Sequence, residues 1–293
     1  MIFEISPYGR NDRRGRPGNK DKALFCSCQG SGRIEPCLGY PDTHNPFQQL
    51  DREDEMIPDT EEKREDRRWY IRMVGYIVMV LLGVQLVIMG TAGRWDYWQG
   101  WMFGGINLVL ILIPLLWFRG GMDMALARER MHPGPGRPRW DKIIMILYLL
   151  AYGAVIVLGS LDAGRLRFSP ALPIRWCVGI CLVYGMTIVF MFWAKGVNPW
   201  FSSVVRIQTD RGQRVVEEGP YRYVRHPGYV GGILSSWATA LVLGSLLALV
   251  PAAMMSMLLV IRTALEDRLL QKELPGYVEY AQRTRYRLLP GVW

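Results

Sequence analysis

The sequence predicts an all-α, polytopic integral membrane protein with about six membrane-embedded helices, the last two folded as a C-terminal hairpin. Three observations carry this. First, the 293-residue chain holds four charge-free runs of membrane length, Met73–Gly93, Tyr97–Phe118, Ile143–Leu161 and Trp176–Ala194, of 21, 22, 19 and 19 residues. A helix needs roughly 20 residues to cross about 30 Å of hydrocarbon. Second, these runs do not alternate apolar and polar residues, as the strands of a membrane barrel must. Third, Lys and Arg concentrate on alternate connections, which sets a topology. Together these exclude a soluble enzyme, a disordered protein and a disulfide-rich secreted domain.

Residues 1–67 come first and read as a polar, disordered extension. Their charge is basic from Arg10 to Lys22 and acidic from Asp51 to Asp66, where nine carboxylates face Arg52, Lys63 and Arg64. Such segments bury too little apolar surface to order themselves. No apolar core of a secretory signal is present in them. Cys26, Cys28 and Cys37 match no common zinc spacing, so no metal site is expected. Residues 68–293 form the helical membrane domain, with the chemistry in 195–293.

With the N-terminus inside, 22 Lys and Arg lie on inner segments and 4 on outer ones. This predicts an even number of crossings and both termini cytosolic. The net charge of +9 therefore reflects topology and anionic lipid headgroups rather than nucleic acid.

The 35-residue run Pro227–Ile261 is too long for one span, since a single helix of that length would reach about 52 Å. Gly244, Ser245 and Pro251 sit near its middle, where a turn belongs. The reading is a tight hairpin, Gly228–Leu243 down and Pro251–Arg268 back, whose legs need not both span fully. It returns both ends of the run to one face of the membrane.

Chemistry-bearing residues gather at those ends. Glu218–Gly232 reads E-G-P-Y-R-Y-V-R-H-P-G-Y-V-G-G. Pro227 opens a helix there, placing Arg225, His226 and Tyr229 at a helix N-terminus suited to an anionic group. An interfacial Tyr/Arg belt is the alternative. At the far end, R-T-A-L-E-D puts Arg262 and Glu266 four apart on one helix face. His226 and Glu266 are both expected at the membrane surface. The tail from Tyr277 carries Tyr277 and Tyr280 three apart; it either lies on the membrane or caps the site. The loop from Ala125 to Asp141, with His132, is read as polar connection. There is no dinucleotide-binding glycine fingerprint, Walker sequence, nucleophile elbow or HExxH.

These three segments, in this order and beside helical spans, resemble the isoprenylcysteine carboxyl methyltransferase family and its phospholipid methyltransferase relatives. The resemblance covers about 68–293, most closely 195–293. It implies an integral-membrane enzyme using S-adenosyl-L-methionine without a Rossmann fold. By position, the family's cofactor contacts fall on Gln213, Arg214, Val215, Val216, Tyr221, His226, Pro227, Gly228, Tyr229 and Glu266. Its substrate-contacting arginine falls on Arg262, so Arg262 and Glu266 are the implied catalytic residues. The family often has His at the position of Gln213 and a second Glu at that of Asp267. The implied acceptor is lipophilic and enters between helices from the bilayer. A prenylcysteine-type carboxylate needs no base, with Arg262 orienting it. A phospholipid amine or a thiol must lose a proton, which Glu266 or Asp267 would take. NADPH-dependent membrane sterol and steroid reductases are the rival class; they typically carry Asn after the His-Pro pair, where this chain has Gly228. A transporter or scaffold would require ionisable residues mid-span, and the four clean runs have none.

Overall fold

The computed structural model describes residues 58–117, 124–131 and 134–293. Residues 1–57, with Cys26, Cys28 and Cys37, and residue His132 lie outside the described residues. Eight α-helices and no strand occur among the described residues: α1 Pro58–Ala92, α2 Trp98–Trp117, α3 Met124–Met131, α4 Arg139–Leu161, α5 Ile174–Val197, α6 Pro227–Val242, α7 Leu249–Glu273 and α8 Tyr277–Arg283.

Helix α1 begins at Pro58, inside the segment read as polar extension. Opposite charges three apart, Glu61 with Arg64 and Glu65 with Arg68, favour helix there. Four helices are long and apolar enough to cross a membrane, within Arg64–Ala92, Arg139–Leu166, Ile174–Val197 and Leu249–Glu273, and Trp98–Leu112 is a shorter apolar stretch. Their outward residues are bare hydrophobics: Leu82, Leu86, Leu149, Leu150, Leu182 and Met257 are each at least 60% exposed. Soluble monomers do not present apolar surface on this scale. Lengths, composition and outer faces are those of an integral membrane protein.

The hairpin is present. Helix α6 ends at Val242, Gly244 takes φ +78°, and α7 starts at Leu249. With 16 residues, α6 falls short of the roughly 20 a full span needs. Small residues allow its close packing. A Cβ on Gly231 would lie 2.3 Å from Met191 Cγ of α5, and one on Gly159 of α4 would lie 2.9 Å from Leu243. The core between α1, α2, α4, α5 and α6 is Ile88, Met89, Tyr97, Phe103, Ile156, Tyr184 and Val242.

The bundle has two polar ends. At one, α4 runs into a π-helical turn, Asp162–Leu166. Buried Asp162 accepts from Ser169 N–H at 3.0 Å, Ser169 Oγ at 2.6 Å and Ser245 Oγ at 2.5 Å, which ties α4 to the hairpin turn. Tyr97 Oη donates to the Leu243 carbonyl there. The other end gathers the N-termini of α4 and α6, the C-termini of α5 and α7, the 198–226 connection and α8. Helix α3 is held at that end: Arg130 donates to the Lys195 carbonyl at 2.9 Å and Glu129 accepts from Arg206 at 2.5 Å.

Candidate active site

The connection between α5 and α6 is built from short local bonds. Asn198 Oδ1 accepts the Trp200 N–H at 2.9 Å, and buried Gln208 donates from Nε2 to the Trp200 carbonyl at 2.7 Å. Gln213 Oε1 accepts the Gln208 N–H at 2.7 Å. The amide at 213 thus closes the loop through Gly212, whose φ is +62°. Arg206 holds a buried position between Asp210 at 3.0 Å and Glu129. Burial opposes its charge, but the hydrogen bonds of these two carboxylates prevail and raise its pKa.

The next segment folds against the chain's tail. Arg225 and His226 donate their N–H groups to the Tyr286 and Arg287 carbonyls at 2.9 and 3.0 Å. Tyr280 Oη donates to the Tyr221 carbonyl at 2.8 Å. The Tyr221 hydroxyl accepts from Asn198 Nδ2 at 3.1 Å. Burial is the main cause that pushes the Tyr221 phenol up to about 12, so it remains a neutral hydroxyl.

Across from it, α7 supplies two adjacent acids with different surroundings. Asp267 is fully buried and is reached by Arg287 Nε at 2.8 Å, Tyr277 Oη at 3.0 Å, Gln271 Nε2 at 2.6 Å, Arg225 Nη1 at 3.1 Å and His226 Nε2 at 3.4 Å. Burial, then the Asp267 charge, raise the Tyr277 phenol far above its ordinary range and keep it a donor. A carboxylate with this set of donors has no lone pair left for a reacting proton. The proton-acceptor role considered for Asp267 is therefore excluded; its work is to join α6, α7, α8 and the tail. Glu266, half-buried, accepts the Tyr229 hydroxyl instead. The Tyr229 ring stacks on His226 with centroids 5.7 Å apart and planes 11° apart, and the guanidinium of Arg262, on α7, lies 5.3 Å from the Tyr229 ring centre.

These segments line an open cavity of about 830 Å³, a volume that includes its solvent-filled mouth. Of the ten positions expected to contact a cofactor, nine line it: Gln213, Arg214, Val215, Val216, Tyr221, His226, Gly228, Tyr229 and Glu266. Pro227 does not; it is buried at the first position of α6 and sets that helix's start. Gly228 is needed for space, because a Cβ there would lie 2.6 Å from the Phe201 ring, another wall residue.

Three placements differ from the sequence expectation. Arg262 does not line the cavity. Its i+4 neighbour is not its partner: Arg262 Nε donates to Asp141 Oδ1 at 2.8 Å and Nη2 to the Ser203 carbonyl at 2.8 Å. The acid at the start of α4 outcompetes Glu266 because Tyr229 already engages Glu266. Neither His226, 6% exposed, nor Arg262, 4% exposed, lies at the surface, because the tail and the 198–226 connection cover them. The tail from Tyr277 caps the site, with Tyr277 and Tyr280 buried in its wall. Sequence reasoning missed Asp141, Asn198, Trp200 and Phe201. The signal available for Asp141 was an acid in the first turn of a membrane span, where a charge needs a partner.

The wall joins one free-facing carboxylate, Glu266, to arginines and to the rings of Trp200, Phe201, Tyr221, Tyr229, Tyr277 and Tyr280. The rings and Glu266 suit a flat, cationic group, and the arginines suit an anionic group beside it. Among the described residues no cluster of His, Cys, Asp and Glu could hold a metal ion.

Residues 174–275 match the family model for phospholipid methyltransferases. The match spans α5, the connection and the hairpin, and so includes all ten expected cofactor positions and Arg262. The chain is also 25% identical over 225 residues to the Delta(14)-sterol reductase of Mus musculus, covering 66% of this chain and 52% of that protein; it spans about half the length of this curated relative. The family match, carried by the segment that builds the cavity, together with the apolar helices, supports a membrane methyltransferase.

Proposed function

We propose that this chain is an integral-membrane methyltransferase that uses S-adenosyl-L-methionine to methylate a lipophilic acceptor. The observation that carries the reading is the convergence of nine expected cofactor positions, from three separate stretches of sequence, on one cavity wall. The residues fit the cofactor: aromatic faces suit an adenine and a sulfonium, and Glu266 suits a cationic group. When bound, S-adenosyl-L-methionine supplies an electrophilic methyl group. Of this chain's residues, His226 and Tyr229 form a stacked wall, Glu266 holds charge at its edge, and Tyr277 and Tyr280 exclude water from above.

In this reading the acceptor arrives between helices from the bilayer while the cofactor enters from the cytosol, the side to which the charge count assigns both termini. A prenylcysteine-type carboxylate is the first-choice acceptor, because it needs no base and suits an arginine. Arg262 does not line the cavity and has Nε and Nη2 committed to Asp141 and Ser203, which counts against that role. A phospholipid amine, the class for which the matching family is named, and a thiol are the competing acceptors, with Glu266 as proton acceptor.

The decisive measurement is binding of radiolabelled S-adenosyl-L-methionine to the folded protein in detergent; no binding at high micromolar cofactor sinks the reading. A panel of a farnesylcysteine analogue, phosphatidylethanolamine and a simple thiol then assigns the acceptor. With a carboxylate the rate stays nearly flat from about pH 6 to 8, since an unperturbed carboxyl titrates near 4; with an amine or thiol it rises with pH.

The likeness to a sterol reductase favours a second reading, reduction by NADPH. Against it, Asn at position 228 would collide with Phe201. Oxidation of NADPH by the purified protein with a sterol acceptor would establish it.

A further inference from the structure

Asp141 lies 121 residues from Arg262 in sequence and has no role in the function proposed above. It is fully buried at the first turn of α4. It touches two arginines, Arg137 Nε at 2.6 Å and Arg262 Nε at 2.8 Å, and it accepts the Val205 N–H at 3.3 Å. Arg262 in turn holds the Ser203 carbonyl and lies across the Tyr229 ring. Ser202, Val204, Val205 and Arg206 on one side, and Tyr229 and Glu266 on the other, all line the cavity. One carboxylate therefore grips two walls of the site, one directly through Val205 and one through the Arg262–Tyr229–Glu266 relay.

We propose that Asp141 is a positioning residue. It orients the Arg262 guanidinium so that Tyr229 and Glu266 are presented to the cavity and the 203–205 segment is held opposite them. The inference rests on the methyltransferase reading for what the cavity binds, but not for the geometry it describes. A buried ion pair is poor evidence for stability, because desolvating both charges offsets most of their attraction. Orientation is what such a pair supplies here: the Arg262 fork has fixed directions, and Asp141 and the Ser203 carbonyl fill two of them. A lysine at 262 would keep the charge and lose both the fork and the flat face against Tyr229.

The test uses the full chain in detergent with 3-fluorotyrosine at position 229, comparing wild type, Asp141→Asn, Arg262→Lys and the double variant. Each single change is expected to shift or broaden the 229 fluorine resonance. Each should also weaken S-adenosyl-L-methionine binding by about tenfold, the scale of one lost polar link. The double variant should bind no worse than about twofold below the weaker single, since the two residues act as one unit. An unmoved fluorine resonance in both single variants overturns the proposal, as do effects on binding that multiply. A role confined to stability would lower the melting temperature and leave resonance and affinity in place, which also overturns it. Arg262→Lys retains the buried charge and serves if Asp141→Asn does not fold. Failure of the wild type to bind the cofactor removes the methyltransferase reading, while the fluorine resonance still decides the positioning.

Discussion

Glu266 and Asp267 are neighbours in sequence with opposite duties. Glu266 faces the cavity and has the Tyr229 hydroxyl as its close partner. Glu266→Gln should weaken cofactor binding by roughly 5- to 150-fold, the equivalent of about 1–3 kcal/mol for one polar contact, with little change in melting temperature. Asp267 neutralises buried Arg225 and half-buried Arg287. Asp267→Ala leaves the Arg225 charge buried without its counterion and should destabilise the protein by about 3–5 kcal/mol, read as a lower melting temperature in detergent. An unchanged melting temperature would show that the tail does not depend on this hub. Tyr221 adds a dependence on pH. Its folded pKa of about 12 lies above the ordinary value near 10, so the folded state holds its proton longer. Its contribution is fully present below pH 10 and is lost as pH rises from about 10 towards 12. Tyr221→Phe should flatten that part of the stability profile, and a wild-type slope in the variant would exclude this origin.

Among the elements, the hairpin decides whether a site exists, because it brings His226 within 3.4 Å of Asp267 across 41 residues of sequence. Its turn depends on Gly244 at φ +78°. A side chain there costs about 1–2 kcal/mol in this backbone region, and no atom closer than 3.5 Å blocks a Cβ. Gly244→Ala should therefore lower stability by that amount and leave cofactor affinity intact. At the other end of α6, Gly228→Asn should do the reverse. The Phe201 ring must move, so binding of S-adenosyl-L-methionine should fall more than tenfold while the helix, which gains a better helix former than glycine, stays folded. Wild-type affinity in Gly228→Asn would mean that Phe201 is not a fixed wall.

At the scale of the whole molecule, two polar ends are separated by apolar helices. The site end holds α3, the 198–226 connection, α8 and the starts of α4 and α6; the opposite end holds the turns at 93–97, 162–173 and 243–248. Positive residues crowd the first. A reporter fused after Trp293 should accordingly read as cytosolic, and an extracytosolic signal would refute the topology.

Local pattern was enough for the spans and the hairpin. Uncharged runs are a property of consecutive residues, and the cost of burying backbone and charge in hydrocarbon leaves few other solutions. The G-P-Y-R-Y-V-R-H-P-G-Y motif likewise marked the cavity wall, since helix starts follow from short-range geometry, whereas R-T-A-L-E-D contributed only Glu266 to it. Which acid Arg262 would choose was not legible. Glu266 was four residues away and Asp141 was 121, and only the packing of α4 against α7 brought the distant one nearer. The burial of His226, the closure of the tail over it and the withdrawal of Asp267 from chemistry have the same origin. Each depends on which buried charges meet in three dimensions, and a buried charge takes the partner that the fold delivers rather than the one next to it in the chain.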